Sequence, residues 1–187
     1  MPFSFSASVV VFDSDRELLR RTIETLAAAI GNAAAAGLVS AARVTLVDND
    51  APAGPAVDAE YEPGSAARSL APMTRWRRIA GHGNVGFGRA HNLVLLNPAA
   101  IGDIHLVLNP DAPLAVDALT QGLGWMRDTP DCGMVAPNGR GADDAPLFLG
   151  KRYPDALTLL LRAAAPPALS AKFAARLARY EMRDVVG

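Results

Sequence analysis

The sequence alternates short segments typical of β-strands with amphipathic helical segments, and this alternation limits the folds that it can form. The run Ser8 to Phe12, SVVVF, is β-branched without polar alternation, which is typical of a parallel strand covered on both faces. The next stretch predicts a helix with its cap at Ser14 or Asp15, an apolar face and a stop at Gly31. A second apolar strand, Arg43 to Val47, completes a strand–helix–strand unit.

The same alternation continues to about residue 137. Ala51 to Pro72 is rich in Ala, Pro, Gly and Ser, which predicts a surface loop. Strands that alternate with helices and end in polar or glycine-rich turns predict an α/β fold with a mostly parallel, Rossmann-like sheet and helices on both faces. The predicted elements are strands at Trp76–Ala80, Ile104–Leu108 and CGMVAP (132–137), and helices at about Phe87–Leu96 and Ala115–Arg127.

Beyond Pro137 the pattern is weaker. It predicts a short strand at Leu147–Leu149, a helix at Asp155–Arg162 and a last helix at about Leu169–Arg183. One side of the last helix is basic, and two interpretations fit it: a solvated helix face, or a surface that meets acidic lipid headgroups. The basic residues are Lys172, Arg176, Arg179 and Arg183.

Composition bounds the classes of protein that fit. With 187 residues, half of them apolar, the chain is predicted to form a single domain over residues 1–187. A formal net charge of −1 gives no general attraction to nucleic acid. The start lacks the pattern of a signal peptide and no run is apolar enough to span a membrane, so we expect a cytoplasmic protein. Cys132, the single cysteine, is expected to be a small buried hydrophobe.

The glycine-rich stretch GHGNVGFGRAHN, Gly81 to Asn92, includes a match to the dinucleotide-binding pattern G-x-G-x-x-G. That interpretation, a nicotinamide- or flavin-dependent oxidoreductase, needs a buried strand before the glycines. The preceding segment, TRWRRIA, is instead charged, although Asp103 and Asp111 lie at about the distance at which an acidic ribose ligand is expected. The match is therefore partial.

Asp48, in VDND, comes directly after the second predicted strand. An ionised carboxylate accepts hydrogen bonds and cannot donate them, so Asp48 is suited to accept the N3 hydrogen of uracil or thymine, which cytosine lacks. The alternative is a turn residue at a strand end, where Asp-Asn is common.

The segment Asn84 to Asn92 lies on a turn and the first turns of a helix. Glycines at Gly86 and Gly88 allow a ligand to approach the backbone, and free amides at a helix start favour anions. A tight turn packed closely on the sheet would explain the glycines without explaining Asn84 and Asn92.

Asp111, in LNPD, follows a buried strand and is expected at the same edge of the sheet. A hard divalent cation needs only one or two protein carboxylates when diphosphate oxygens and water complete its shell. Asp111 with Mg²⁺ or Mn²⁺ would then neutralise a leaving nucleoside diphosphate. A helix cap is the other interpretation, and the two are compatible.

In combination, these motifs resemble family 2 glycosyltransferases of the nucleotide-diphospho-sugar (GT-A) fold, in particular the bacterial rhamnosyltransferase-like branch. The matching segments, in the branch's order and at about its spacings over nearly the whole chain, are SVVVF, VTLVDND, GHGNVGFGRAHN, HLVLNPDAPL, CGMVAP and KRYP. NVGFGRAHN with LNPD some twenty residues on is the most specific part.

The resemblance implies transfer of a sugar, with rhamnose from dTDP-rhamnose or a UDP-sugar leading, to a glycan or lipid-linked acceptor with inversion. It also implies polysaccharide synthesis at the inner face of the plasma membrane. Asn109 stands at the first acidic position of the relatives' D-x-D metal motif, and Asp111 is the implied metal ligand. The implied nucleotide-sugar site consists of Asp13, Asp48, Asn49, Asn84, Gly86, Phe87, Gly88, Asn92 and Asn109.

The chain departs from the family after KRYP. Relatives continue with a segment that carries the acceptor site and an acidic general base, and this sequence has no such stretch, so it is shortened relative to the family. Asp143, Asp144 and Asp155 are carboxylates outside the family's base motif, and no catalytic residue is assigned. A non-catalytic nucleotide-sugar-binding module is therefore the second hypothesis. The sequence does not indicate an oligomeric state.

The remaining candidates are histidines and one basic pair. His82, His91 and His105 have spacings that fit no compact metal-ligand pattern. His91 is a candidate for contact with the sugar or phosphate, and His105 for strand packing. Lys151 and Arg152 fit either a diphosphate contact or surface charge.

Overall fold

The structure is a computed structural model that describes residues 1–141 and 145–183. Its contacts divide the chain into two compact units, Met1–Asp131 and the residues from Cys132 onward, which we describe separately. The single domain over residues 1–187 stays a prediction. The candidate carboxylates Asp143 and Asp144 lie outside the described residues.

The first unit is an α/β fold around a five-stranded, mostly parallel sheet, as the sequence predicted. The spatial order is β3-β4-β2-β1-β5, and only β3 runs antiparallel to its neighbour. In chain order the elements are β1 (Phe3–Val11), α1 (Arg16–Ala35), β2 (Val39–Asp48), β3 (Val57–Glu60), α2 (Ser65–Leu70), β4 (Thr74–Ala80), α3 (Phe87–Leu95), β5 (Ile104–Leu108) and α4 (Ala118–Asp128).

Most of the core lies between the sheet and α1. Leu26 and Ile30 of α1 are fully buried in the same apolar cluster as Val9 of β1. Asp15 caps α1 as predicted, because its Oδ1 accepts a hydrogen bond of 2.8 Å from the backbone of Leu18. The predicted stop at Gly31 is wrong. Gly31 lies inside α1, where a larger side chain would collide with the Leu70 carbonyl, so this glycine allows α2 to pack closely.

The opposite face of the sheet is covered by α3. Its buried apolar cluster is small and consists of Val10, Val47, Ala90 and Val94. The buried side chains of Ser6, Ser8 and His91, with the partly buried His105, lie beside this cluster. Helices therefore cover both faces of the central strands, as the sequence predicted.

The segment predicted as a loop, Ala51 to Pro72, contains β3 and α2. β3 forms because it pairs antiparallel with β4, where Asp58 also forms an ion pair with Arg77. α2 is held by tertiary packing of the fully buried Ala67. Both elements depend on neighbours rather than on local preference, so the composition of the segment concealed them.

The described part of the second unit contains a short hairpin and three helices. The elements are β6 (Gly139–Arg140), β7 (Pro146–Leu147), α5 (Ala156–Ala164), α6 (Pro167–Lys172) and α7 (Ala174–Tyr180). The predicted strand CGMVAP is wrong: in the described structure this stretch pairs with no strand, and Gly133 and Pro137 interrupt it. Cys132 is partly exposed, not buried, and its thiol lies 3.3 Å from the Met134 carbonyl.

The predicted last helix is also divided. α6 ends before Phe173 and α7 begins after it, where the bond from the Phe173 amide to the Leu169 carbonyl is long, at 3.3 Å. Its four basic residues therefore do not form one helix face. Within the described residues, no helix has both the length and the apolar character needed to cross a membrane.

Candidate functional site

An open cleft of about 580 Å³ lies at the carboxyl ends of β1 and β5, between the starts of α1 and α3. β1 has β2 on one side and β5 on the other, so the order of the strands reverses here. Ligands of open α/β sheets bind at this kind of position. The lining residues are Val10, Phe12, Asp13, Ser14, Asp15, Leu18, Asn49, Asn84, Gly86, Phe87, Asn109, Pro110 and Asp111.

The cleft brings together seven of the ten residues predicted to form the site. Four separate segments supply them: the ends of β1, β2 and β5, and the turn that leads into α3. The seven are Asp13, Asn49, Asn84, Gly86, Phe87, Asn109 and Asp111. Asp48, Gly88 and Asn92 do not line it. Gly88 and Asn92 are exposed on α3, within two turns of the lining residue Phe87.

The turn after β1 shapes one wall. Asp13 has a positive φ of 46°, in the left-handed region that Asp tolerates better than most residues. Its backbone amide donates a 2.8 Å hydrogen bond to Oδ1 of Asp50, which ties the turn after β1 to the turn after β2. The two strand ends are therefore held side by side.

Two asparagines connect β2 to the start of α3. Asn49 is 3 % exposed, and its Nδ2 lies 3.4 Å from Oδ1 of Asn84. The same Asn84 oxygen accepts a 3.0 Å hydrogen bond from the amide of Gly86. Gly86 has φ of +81°, a conformation that strains residues with a side chain. The Asn84 side chain thus fixes the turn that precedes α3.

The amino end of α3 faces the cleft without a side-chain cap. The first amides of a helix have no partner within the helix, so those of Phe87, Gly88 and Arg89 are available to a ligand. A Cβ at Gly88 would meet nothing within 4 Å, and its φ lies outside the strained range. The protein's own packing therefore does not require glycine at this position.

Asp48 is already occupied by partners from its own fold. Its Oδ1 accepts from the amides of Asp50 and Ala51, at 2.9 and 3.1 Å. Its Oδ2 accepts from Nε and Nη2 of Arg78, at 3.0 and 2.5 Å. Burial alone raises the pKa of Asp48, but these hydrogen bonds and the Arg78 charge hold it below its ordinary value. All four acceptor positions of the carboxylate are in use.

The histidines do not contact the cleft. His91 is 2 % exposed beneath α3, so its predicted contact with a sugar or phosphate is wrong. Its ring is directed toward the sheet because Ala90, His91 and Val94 form the buried face of α3. His105 packs within the sheet as predicted, hydrogen-bonded to Ser6 and Ser8. His82 bonds to the carbonyl of Gly83, 2.6 Å from its Nδ1.

The charge of the cleft is negative. Asp13, Asp15 and Asp111 line it, and none of the described lining residues is lysine or arginine. Part of the Asp15 carboxylate is committed to capping α1, which leaves Asp13 and Asp111 with the Asn109 amide. No group of three or more His, Cys, Asp or Glu residues with metal-binding geometry occurs in the described ranges. The donor set fits a cation that takes its remaining ligands from a bound diphosphate and water.

The first two glycines of the G-x-G-x-x-G match have a structural role. Gly81 has φ of +90°, and any side chain there would collide with the carbonyl of Pro55. Gly83, at φ +66°, packs on Ala53. Only Gly86 of the three glycines lines the cleft.

Sequence reasoning missed the apolar part of the cleft. Phe12, Phe87 and Leu18 line the cleft, and the two phenylalanines are each about half exposed. Of these three residues, only Phe87 was predicted to belong to the site. Phe12 could have been recognised, because it is an aromatic residue that directly follows a buried strand, at the end where the chain reaches the surface. Exposed aromatic faces can stack on a base or a sugar ring.

The basic pair and the remaining carboxylate lie in the second unit, where each has partners. Lys151 lies 3.9 Å from Glu181, and the amide of Arg152 donates to the Tyr180 carbonyl. Asp155 caps α5 and pairs with Arg176, and these bonds lower its pKa to about 2.

Comparison with known proteins gave no match to a family model, a curated protein or a solved structure. The family named from the sequence motifs therefore stays a prediction.

Proposed function

We propose that this protein is a glycosyltransferase of the GT-A, rhamnosyltransferase-like type, which binds a pyrimidine nucleotide-sugar in the cleft between β1 and β5. The observation that carries the proposal is that seven predicted residues, drawn from four separate motifs, line one cleft where the strand order reverses. Residues that are distant in sequence meet there only through the fold. The leading donor is dTDP-rhamnose, with a UDP-sugar as the alternative.

The diphosphate would bind between the amino end of α3 and Asp111. The uncapped amides of α3 supply donors for phosphate oxygens, and Gly86 and Gly88 leave room for close approach. Asp111, with Mg²⁺ or Mn²⁺ as cofactor, would stabilise the leaving nucleoside diphosphate, and the cation would offset the negative charge of the lining. The side chains of Phe12 and Phe87 would contact the base or sugar.

The base would lie toward the end of β2, with Asp48 as the proposed acceptor for N3–H. Because Arg78 occupies Oδ2 of Asp48, one of its two hydrogen bonds must be given up when a base binds. The Arg78 side chain is 39 % exposed, so it has space to move. Asp48→Asn should then reduce the preference for dTDP and UDP over GDP, as measured by calorimetry.

In the proposed reaction, an acceptor hydroxyl attacks the anomeric carbon from the face opposite the diphosphate. The new glycosidic C–O bond forms as the bond to the diphosphate oxygen breaks, and the configuration inverts. The hydroxyl proton passes to a base that we assign to none of the residues described above. The acceptor would be a glycan or lipid-linked sugar, at the cytoplasmic face of the membrane.

Incubation with dTDP-rhamnose and a lipid-linked acceptor tests the proposal, with release of dTDP as the readout. We expect cation-dependent release that requires Asp111. Binding of dTDP-rhamnose without release would support a non-catalytic module instead. The oxidoreductase alternative makes a different prediction: NADH would shift the fluorescence of Trp76 or Trp125, and dTDP would not.

A further inference from the structure

Four polar side chains form a continuous hydrogen-bonded chain beneath α3. Oγ of Ser6 lies 2.8 Å from Nδ1 of His105, whose Nε2 lies 2.8 Å from Oγ of Ser8. Oγ of Ser8 in turn lies 2.7 Å from Nδ1 of His91. Ser6, Ser8 and His91 are all at most 2 % exposed. The proposed reaction uses none of these groups.

The geometry of the sheet explains why they meet. Ser6 and Ser8 alternate along β1 with residues that face α1, so both serines face α3. His105 is the register partner of Ser6 in the parallel pair of β1 and β5, and it points to the same face. The side chain of His91 on α3 points toward the sheet and contacts Ser8. The chain therefore links the two strands that end at the cleft to the helix that begins there.

The directions of the hydrogen bonds among the four residues depend on one another. Ser6 accepts from the amide of Gly102 at 2.9 Å, which fixes one end. Each serine has a single hydrogen to donate, and each neutral imidazole has one donor and one acceptor nitrogen. Once Ser6 donates either to His105 or to the Ile104 carbonyl, 3.3 Å away, the direction of every later bond is set. Loss of one member leaves buried neighbours without partners.

The chain ends against the wall of the cleft. The rings of His91 and Phe87 lie 4.4 Å apart between centroids, at an interplanar angle of 75°. Phe87 lines the cleft and is the first residue of α3. The apolar contact of α3 with the sheet is small: its cluster has four buried residues, and Ile79, Val85 and Ala100 are only partly buried against it. The hydrogen bonds of the four polar residues depend on direction, so they restrict the rotation of α3 more than this small apolar cluster does.

We propose that His91 is a positioning residue: the chain Ser6–His105–Ser8–His91 fixes the rotation of α3 and thereby holds Phe87 and the first amides of the helix in the geometry that binds the ligand. The effect of these four hydrogen-bonded side chains on the rotation of α3 does not depend on which ligand the cleft binds. Their effect on affinity rests on the proposed nucleotide-sugar site.

The test compares the variants Ser8→Ala and Val9→Ala of the complete 187-residue protein. Ser8→Ala removes the central link, and Val9→Ala removes buried volume from the neighbouring residue on the opposite face of the sheet. Two readouts are recorded: the NMR resonances of the Phe87 ring without ligand, and the affinity for dTDP with Mg²⁺ by calorimetry. Imidazole nitrogen shifts report the tautomers of His91 and His105.

We expect Ser8→Ala to move the Phe87 resonances, to change the tautomer populations of both histidines, and to lower dTDP affinity about tenfold. Val9→Ala should lower the melting temperature and leave the Phe87 ring and the affinity as in the unaltered protein. Unchanged Phe87 resonances in Ser8→Ala, or equal changes in both variants, would overturn the proposal.

If Ser8→Ala does not fold, His91→Phe replaces it, because phenylalanine keeps an aromatic ring beside Phe87 and removes the hydrogen bond to Ser8. The backbone amide resonances of Gly88 and Arg89, at the start of α3, should then move, and no movement would contradict the proposal. If the unaltered protein fails to bind dTDP, the proposed function fails, and the ligand-free Phe87 resonances still decide the role of the chain.

Discussion

The two faces of the central sheet are built from different chemistry, although the same strand, β1, contributes to both. Toward α1 it presents Phe5, Ala7 and Val9 to a large apolar core. Toward α3 it presents Ser6, Ser8 and Val10, and the apolar cluster there has four buried residues. We infer that the α1 face supplies most of the stability and that the α3 face positions the residues of the cleft.

The largest effect expected from this comparison is on stability. Leu26→Ala, at a fully buried site of the α1 face, should lower the free energy of unfolding by about 2–5 kcal/mol. Val94→Ala, its counterpart on the α3 face, removes fewer atoms from a smaller cluster and should cost less. Urea denaturation of both variants measures the difference, and an equal loss in the two would contradict the assignment of stability to the α1 face.

The next effect is on ligand binding at the cleft. Asp111→Asn should weaken Mg²⁺-dependent binding of dTDP about 10- to 100-fold, or ~1.4–2.7 kcal/mol, because it removes the only carboxylate assigned to the cation. Asp117→Asn is the matched control, since Asp117 is exposed and lies outside the cleft lining. Calorimetric titration should show affinity lost only in the first variant. A loss that persists without Mg²⁺ would assign Asp111 a role other than cation binding.

A substitution at Gly88 is expected to change stability and ligand affinity in opposite directions. Gly88→Ala should stabilise α3 by up to about 1 kcal/mol, because alanine favours helix and the added Cβ meets no neighbour. If a diphosphate approaches this turn as proposed, the same methyl group should reduce dTDP affinity several-fold. Thermal denaturation and calorimetry on one sample measure both. A stabilised variant with unchanged affinity would remove Gly88 from the proposed site.

The last expected effect is a pH dependence that arises from the α3 face and appears only as the pH falls below neutral. Burial, with the neighbouring His91 adding to it, lowers the pKa of His105 from 6.5 to about 4. The unfolded chain therefore binds this proton first, so the contribution of His105 to stability is complete above about pH 6.5 and is lost as the pH falls toward 4. Burial shifts the pKa of His91 in the same direction.

Melting temperatures of the unaltered protein and His105→Gln, recorded between pH 4 and 7.5, test this dependence. The variant should show a shallower fall in melting temperature on acidification. The comparison removes the contribution of carboxylates such as Asp48 and Asp103, whose lowered pKa values are common to both proteins. Parallel curves would show that His105 is not linked to folding in this range.

Much of the fold could be predicted because the buried strands carry a local signal. VVV in β1 is a continuous apolar run, and IHLVL in β5 is apolar except for His105. Asp15 is a side-chain cap that acts within one helical turn. The early part of β1, Phe3 to Ala7, was not predicted, because its buried serine, Ser6, is hydrogen-bonded to partners about a hundred residues away. β3 and α2 depend in the same way on β4 and α1.

The candidate site was predicted to a similar extent and for a related reason. Polar and glycine residues at strand ends converge because parallel strands share one edge, which brings Asp13, Asn49 and Asp111 together. Local sequence does not reveal which partner a side chain chooses. Asp48 binds Arg78 from β4, and His91 points inward to Ser8, so neither side chain lines the cleft.

Calorimetric titration shows whether the cleft binds a pyrimidine nucleoside diphosphate with a divalent cation, as we propose. The unaltered protein should be titrated with dTDP, UDP, GDP and NADH, each with and without Mg²⁺. We predict that dTDP and UDP bind in the presence of Mg²⁺, that Asp111→Asn abolishes most of this gain, and that GDP binds more weakly. If neither dTDP nor UDP binds and NADH binds instead, the cleft is not a pyrimidine nucleotide-sugar site.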